Sequence, residues 1–341
     1  MFKKVNKIVI KWGILGLGKM AQKFAEAIQE VENAKLVSIS SLSKQKNELF
    51  GKKFNIDDKL RFNTYEDLIS CKEVDAVYIA TLNNTHANLI IKSADAGKSI
   101  LCEKPMAINN EETKLVFEKL EKTNVFFLEA IAYRSHPQIM ELMKLVSNDT
   151  IGKIEKIKSC FGFSVKSFFK FIPKHRLFNK KTGGGAILDL GCYPISFGLL
   201  IAKILQEESS FKYKLTDCKG KFNFRGTDDE AYTKIEFNNL FDLEANVSIK
   251  NQFENSSIIF GSKGKLKVSS WLPNKKSFIE ISNEKKNYTK EVISKYSTYA
   301  NTIKLASDSI EKNNFECNFP NMTWQESKEN IKILTEWKDS I

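Results

Sequence analysis

A chain of 341 residues, 42% hydrophobic and 28% charged, can bury a sizeable core, and its length suggests two domains or one elaborated one. The net charge of +12 raises a nucleic-acid partner, yet only four of the 53 basic residues are arginine and the other 49 are lysines spread along the chain. Base and phosphate readers favour arginine's planar fork and cluster their charge, so the composition points to a solvated lysine surface, with no nucleic-acid partner expected. In chain order, residues 7–15 read as a strand, 19–31 as a helix, 34–39 as a strand and 43–54 as a helix. Thr64 and Asp67 resemble a capping box opening a short helix before a strand at 74–80. A helix follows at 85–96, stopped by Gly97, then a strand at 99–102, a helix at 110–122 and a strand at 125–128. Repeated strand–helix–strand units imply a parallel sheet with helices on both faces, a Rossmann-type domain spanning residues 1–124.

From residue 125 to 341 the pattern changes to a second, α+β domain. A helix at 137–146 and a strand at 153–162 precede an irregular basic and aromatic stretch, 167–181. Alternating segments at 232–237, 242–249, 257–260 and 265–268 suggest an open, mostly antiparallel sheet, and helices at 298–311 and 324–338 close the chain. The expected fold class is therefore α/β: a parallel Rossmann sheet followed by an α+β unit with one sheet face left for a partner subunit. The start lacks the apolar block of a signal peptide and the apolar stretches are interrupted before membrane-spanning length, so a cytoplasmic protein without a membrane partner is expected. Six cysteines lie far apart with no CxxC pair, which argues against a disulfide framework and a metal site.

Three constellations carry chemistry. Gly16-Leu17-Gly18-Lys19-Met20-Ala21 follows a strand and opens a helix, the context of the GxGxxA dinucleotide fingerprint: the glycines permit a tight turn and close approach of a pyrophosphate to helix N-terminal amides. The second strand ends without an acid, in Ser41, Ser43 and Lys44, and hydroxyls beside lysine suit a 2′-phosphate, so NADP is expected over NAD. Glu103-Lys104-Pro105 ends a strand at the ligand-binding edge of the sheet, and proline biases Lys104 toward an extended backbone that aims its amine into the crevice. Finally, the run Gly183-Gly184-Gly185-Ala186-Ile187-Leu188-Asp189-Leu190-Gly191-Cys192-Tyr193 puts a carboxylate and a phenol one helical turn apart. It reads either as a glycine-kinked core helix or as a proton-transfer site, the latter needing a cation that lowers the phenol's pKa. Lys104 would supply it.

Together these motifs, with the strand end Thr81-Leu82-Asn83-Asn84-Thr85-His86 and the stretch Glu129-Ala130-Ile131-Ala132-Tyr133-Arg134-Ser135-His136-Pro137, resemble the Gfo/Idh/MocA family of NAD(P)-dependent oxidoreductases. The resemblance implies that Gly16, Leu17, Gly18, Lys19, Met20, Thr81, Asn83, His86, Glu103 and Lys104 serve the cofactor and that Lys104 lies by the nicotinamide. It implies that Asp189 and Tyr193 complete the site, and that the second domain joins subunits into a homodimer or homotetramer. Many members carry histidine where Tyr193 stands, so the chain looks more like the branch of glucose-fructose oxidoreductase, aldose dehydrogenases and dimeric dihydrodiol dehydrogenase. The substrate expected is a sugar, polyol or vicinal diol. Either Tyr193 or Lys104 carries the proton, and Asp189 orients the lysine or a substrate hydroxyl. In a chain so poor in arginine and histidine, Arg134, His136 and Arg176, with His175, are expected to contact substrate or cofactor, and residues 161–181 to form a lid over the substrate. A non-catalytic NAD(P)-binding sensor, and an enzyme that retains and recycles its cofactor, are the alternatives.

Overall fold

The computed structural model describes residues 8–165, 175–206 and 212–341. Six short strands, β1 (Ile10–Leu15), β2 (Ala34–Ser40), β3 (Arg61–Phe62), β4 (Ala76–Ile79), β5 (Ser99–Glu103) and β6 (Phe127–Ala130), pair only in parallel, in the order β3-β2-β1-β4-β5-β6. The order reverses between β1 and β4, which opens a ligand crevice beyond the carboxyl ends of the central strands. Both faces are covered, so β4 and β6 are buried at every residue. Between the strands run α1 (Lys19–Ala27), α2 (Lys44–Lys53), α3 (Tyr65–Ile69), α4 (Asn83–Asp95) and α5 (Asn110–Leu120). Local chemistry starts several of them: the Ser43 hydroxyl accepts from the Lys46 amide at α2, and Thr64 accepts from Asp67 at α3. The domain break expected at residue 124 falls ahead of β6, which the parallel sheet takes in through pairing from Ile100–Phe127 to Glu103–Ala130.

After α6 (Pro137–Ser147) comes β7 (Ile154–Gly162), then α7 (Cys192–Leu205) and seven further strands: β8 (Tyr213–Phe222), β9 (Asp228–Phe237), β10 (Phe241–Ser248), β11 (Ser256–Gly261), β12 (Gly264–Ser269), β13 (Lys276–Asn283) and β14 (Asn287–Ile293). They form one sheet, β14-β13-β12-β11-β7-β10-β9-β8, antiparallel except for β7 beside β10. Alternating burial along β9 and β13 gives this sheet one packed and one open face. α7 lies on the packed face. Residues Lys180–Leu205 make a helical stretch long and apolar enough to cross a membrane, contrary to the expectation from sequence, but its apolar window is wholly buried between the sheet and the last helix.

Two helices close the chain, α8 (Thr298–Glu311) and α9 (Trp324–Asp339). α9 begins with a reciprocal capping box between Thr323 and Glu326 and packs on α7 and α5. α8 crosses back onto the parallel sheet: the Trp12 indole N–H donates to Ser307 Oγ at 3.1 Å, and Asn33 donates to Asp308 at 2.8 Å. A helix from near the end of the chain thus packs onto the first sheet.

Candidate active site

β5 runs out at Glu103 on the crevice edge, and the next peptide, Lys104–Pro105, is cis. From there Lys104 reaches the glycine run. Gly185 holds a φ of +115°, and a side chain on it would collide with the Asp228 carboxylate at the start of β9. Asp228 is buried, and its Oδ2 accepts the Ile187 amide at 2.7 Å, tying down the entry of the helix. The helix does not open with the regular turn expected from sequence: Ile187–Gly191 form a wide, π-type turn before α7 begins at Cys192. This turn presents Asp189 twice to the same ammonium. Lys104 Nζ donates to the Asp189 backbone carbonyl at 2.5 Å and lies 3.6 Å from its carboxylate, which also accepts from Arg176 at 2.8 Å.

Electrostatics follow from that packing. Burial opposes the charge on Lys104, but Asp189 leads the groups that outweigh it, so its pKa rises above the ordinary lysine value. Burial likewise pushes against the Asp189 carboxylate, while Lys104 and Arg176 hold its pKa below the usual range. Tyr193 behaves otherwise than a phenol activated by a cation. The Lys104 ammonium sits 5.2 Å from the centre of its ring, a cation–π placement. Burial, reinforced by Cys192, Glu103 and Asp189, pushes the phenol well above its ordinary 10. Around Tyr193 stand Phe161 at 4.9 Å, Trp271 at 5.8 Å and Tyr133 at 6.3 Å between ring centres. Sequence reading missed Asp228 and Trp271, because a cap and a ring supplied across the sheet leave no local spacing.

The opposite wall of the crevice is the turn between β1 and α1. Gly16 has φ +89°, and a side chain there would meet the Thr81 side chain and Ala80 carbonyl, whereas one on Gly18 would meet nothing within 4 Å. No side chain caps α1 and no acid stands in its first turn, so the first-turn amides, at Lys19 and Met20, have no side-chain cap as partner. At the end of β2, Ser41 Oγ accepts from the Ser43 amide at 3.2 Å, and Lys44 is exposed at the start of α2. Thr81 is half-buried at the end of β4 and accepts from the Thr85 hydroxyl at 2.7 Å. Asn83 bridges the two halves of the site, its amide donating to the Gly183 carbonyl at 3.0 Å.

Several expected contacts lie elsewhere. His86 is buried, with ring nitrogens 2.8 Å from the Pro105 carbonyl and 3.4 Å from that of Thr81, and burial lowers its pKa to about 4. It braces the Lys104 loop from behind. The Glu103 carboxyl is buried, accepting the Tyr78 hydroxyl at 2.6 Å, and burial raises its pKa. Arg134, expected at the substrate, is 2% exposed and spends its guanidinium on the Pro320 and Ser196 carbonyls and the Glu326 carboxylate. His136, expected there too, is 1% exposed; it caps α6 by accepting the Gln138 amide and faces the Asn274 carbonyl with its other nitrogen. A guanidinium or imidazole buried from solvent, with its nitrogens already bonded inside the protein, has nothing to offer a ligand. Of the expected substrate contacts, Asp189 and Arg176 share the site. Arg176 is half-exposed; the His175 ring lies tilted beside Phe178, at 5.2 Å between ring centres. Of the lid segment, 161 and 162 belong to β7 and 166–174 lie outside the described residues.

Residues 10–130 match the model of an oxidoreductase family with an NAD-binding Rossmann fold, and residues 139–267 match the GFO/IDH/MocA C-terminal domain. A trans-1,2-dihydrobenzene-1,2-diol dehydrogenase of Xenopus tropicalis is 28% identical over 267 residues, 77% of either chain. A D-xylose 1-dehydrogenase (NADP(+)) of Hypocrea jecorina is 28% identical over 217 residues, 60% of this chain and 56% of that one. An aldose-aldose oxidoreductase from Caulobacter crescentus shares the fold with a TM-score of 0.84 at 19% identity, covering 97% of both chains. A 3-ketoreductase from Actinomadura kijaniata, solved with NADP and TDP-benzene, does so at 0.83 and 18%, covering 96% of both. Both domain models match in sequence order, over most of a chain whose two sheets have the corresponding architecture. The chain therefore belongs to the Gfo/Idh/MocA family of oxidoreductases.

Proposed function

We propose that the chain is an NADP-preferring dehydrogenase or reductase acting on the carbinol or carbonyl carbon of a sugar, polyol or vicinal diol, with Lys104 and Tyr193 at the reacting centre. The observation that carries this is the Lys104 ammonium, gripped by Asp189 against the Tyr193 ring at the carboxyl edge of the parallel sheet. The residues fit a dinucleotide: the open space at Gly18 and the uncapped start of α1 leave room and amides for a pyrophosphate. Lys44, exposed and without an ion pair among the described residues, suits a 2′-phosphate, and β2 ends in serine where an acid would favour NAD. The resemblance to a xylose dehydrogenase named for NADP supports the same preference.

A bound nicotinamide would supply or accept the hydride. Tyr193, protonated at neutral pH, places its hydroxyl proton at the substrate oxygen during reduction and takes one back during oxidation. Lys104 polarises the same oxygen, and in a water-poor crevice a fixed ammonium is worth far more than in bulk solvent. Asp189 keeps that ammonium charged and aimed. Phe161, partly exposed beside Tyr193 and backed by the buried Trp271, suits the apolar side of a sugar ring or a flat diol. The open face of the second sheet is the surface we assign to subunit pairing.

The test is turnover of aldoses, polyols and trans-dihydrodiols with NADP and with NAD, followed by absorbance of reduced nicotinamide. Lys104→Ala should abolish turnover while cofactor still binds. Tyr193→Phe should lower it by about 10²- to 10⁴-fold. Substantial turnover by Lys104→Ala sinks the assignment, and a wild-type chain that binds cofactor yet turns over nothing favours the sensor alternative.

A further inference from the structure

We propose that Tyr299, brought by α8 from the far end of the chain, is a cofactor-binding residue whose hydroxyl donates to the nicotinamide half of the dinucleotide. The inference rests on the cofactor reading above and adds a residue that no motif of the parallel domain contains.

Tyr299 stands in the first turn of α8, a helix that packs against α1 and β1. Its hydroxyl is 4.0 Å from the sulfur of Met20 in the first turn of α1, and the Lys23 ammonium lies 5.6 Å from its ring centre. That fixes one side of the phenol at the pyrophosphate end of the crevice. Glu103, Tyr193 and Lys104 are also close enough for their charges to act on the hydroxyl. The phenol therefore lies between the helix end that suits a pyrophosphate and the pair that suits the reacting carbon. In a bound dinucleotide this interval is spanned by the nicotinamide, its ribose and the adjoining phosphate.

The hydroxyl is also unspent. A thioether at 4.0 Å is a weak acceptor, and no stronger one faces the phenol among the described residues. Burial, with Glu103 adding to it, raises the phenol's pKa, so it stays a donor throughout the working pH range. Its backbone is held on several sides. Thr298 donates its hydroxyl to the Pro273 carbonyl, Ala300 is fully buried, and the Ser297 amide donates to Glu30 at 3.1 Å. The Asn301 side chain donates to Ser294 Oγ at 2.9 Å and to the Tyr296 carbonyl at 3.2 Å. A half-buried ring on so firmly placed a turn presents its hydroxyl without further ordering, which favours binding. Carboxamide, ribose and phosphate oxygens are the acceptors that half of the cofactor offers.

Tyr299→Phe keeps the ring and its packing and removes only the donor. Binding is measured without substrate, with NADPH against 2′,5′-ADP and with NADH against AMP, each pair differing by the nicotinamide half. The expected result is a Kd for the reduced dinucleotide raised about 2- to 10-fold, with the Kd of the matched adenine fragment unchanged. Equal NADPH and NADH binding by wild type and variant overturns the assignment, as does equal weakening of dinucleotide and fragment. Failure of the wild-type chain to bind any of the four overturns the cofactor reading itself.

Discussion

Gly185→Ala is the substitution whose cost the structure lets one work out in parts. Its φ of +115° is a conformation that an alanine holds only under strain, costing about 1–3 kcal/mol. The new methyl also lands on the Asp228 carboxylate and must push it off the Ile187 amide that it accepts at 2.7 Å. Losing a buried bond to a charged acceptor costs about 1.5–3 kcal/mol. The single variant should therefore lose about 2.5–6 kcal/mol, and Asp228→Ala alone about 2 kcal/mol. The double variant has no carboxylate left to displace, so it incurs the φ strain and the lost bond once each. Its cost should match that of Gly185→Ala alone, a coupling of about 2 kcal/mol against additivity. Urea unfolding of the four proteins measures this directly, and turnover at saturating substrate should fall in every variant because Asp189 rides on the disturbed turn. A double variant whose loss equals the sum of the singles refutes the Gly185–Asp228 contact and the placement of the site built on it.

Two further outcomes separate structural from site residues. Arg134→Ala strands the buried Glu326 carboxylate, so it should cost about 3–5 kcal/mol in urea unfolding while leaving the substrate KM of the folded fraction unchanged; a stable variant with a raised KM reverses that reading. Glu129, buried beside the Lys104 loop with its Oε1 accepting the Met106 amide at 3.1 Å, has its pKa pushed up by burial from 4.5 to about 7. Between those values the folded chain holds a proton that the unfolded chain has released, so this group's contribution to stability falls as pH rises, by about 3 kcal/mol across the window. Glu129→Gln keeps an acceptor for Met106 and should gain on wild type by that amount from pH 4.5 to 7 in urea unfolding; a gap independent of pH refutes it.

The parallel sheet was legible because strands buried on both faces read as apolar runs and each is followed by a helix with its own start signal, as at Ser43 and Thr64. α8 was legible as a helix, over the same residues 298–311, but not as the cover of the first sheet. Periodicity shows that a face is apolar without saying which surface it meets. β8 escaped because it is an edge strand with little burial and three lysines, so the alternation that marks a half-buried strand is absent. In the site, motif residues at chain turns were legible, while Asp228, Trp271 and Tyr299 arrive from other strands and helices. Rarity misled at Arg134 and His136. An arginine in a lysine-rich chain does mark a place where the planar fork is needed, but two carbonyls and a buried carboxylate need it as much as a substrate does.

The charge arrangement of the site narrows the chemistry in a way that residue types alone could not. A phenol and an ammonium in one crevice suggest a cation that lowers the phenol's pKa. The fold gives the ammonium to Asp189 instead, leaving only the face of the ring to it, and burial then drives the phenol upward. At neutral pH both Lys104 and Tyr193 hold their protons, and the Asp189 carboxylate is an anion held between Lys104 and Arg176. Under the function proposed here both donors serve one substrate oxygen, and two donors suit an oxygen that gains negative charge, which is a carbonyl receiving hydride. Running the reaction the other way requires one of the two to give up its proton before the alcohol can lose its own. Under the function proposed here, the resting crevice is thus set for reduction, and oxidation becomes competitive only where substrate or cofactor binding lowers one of those pKa values.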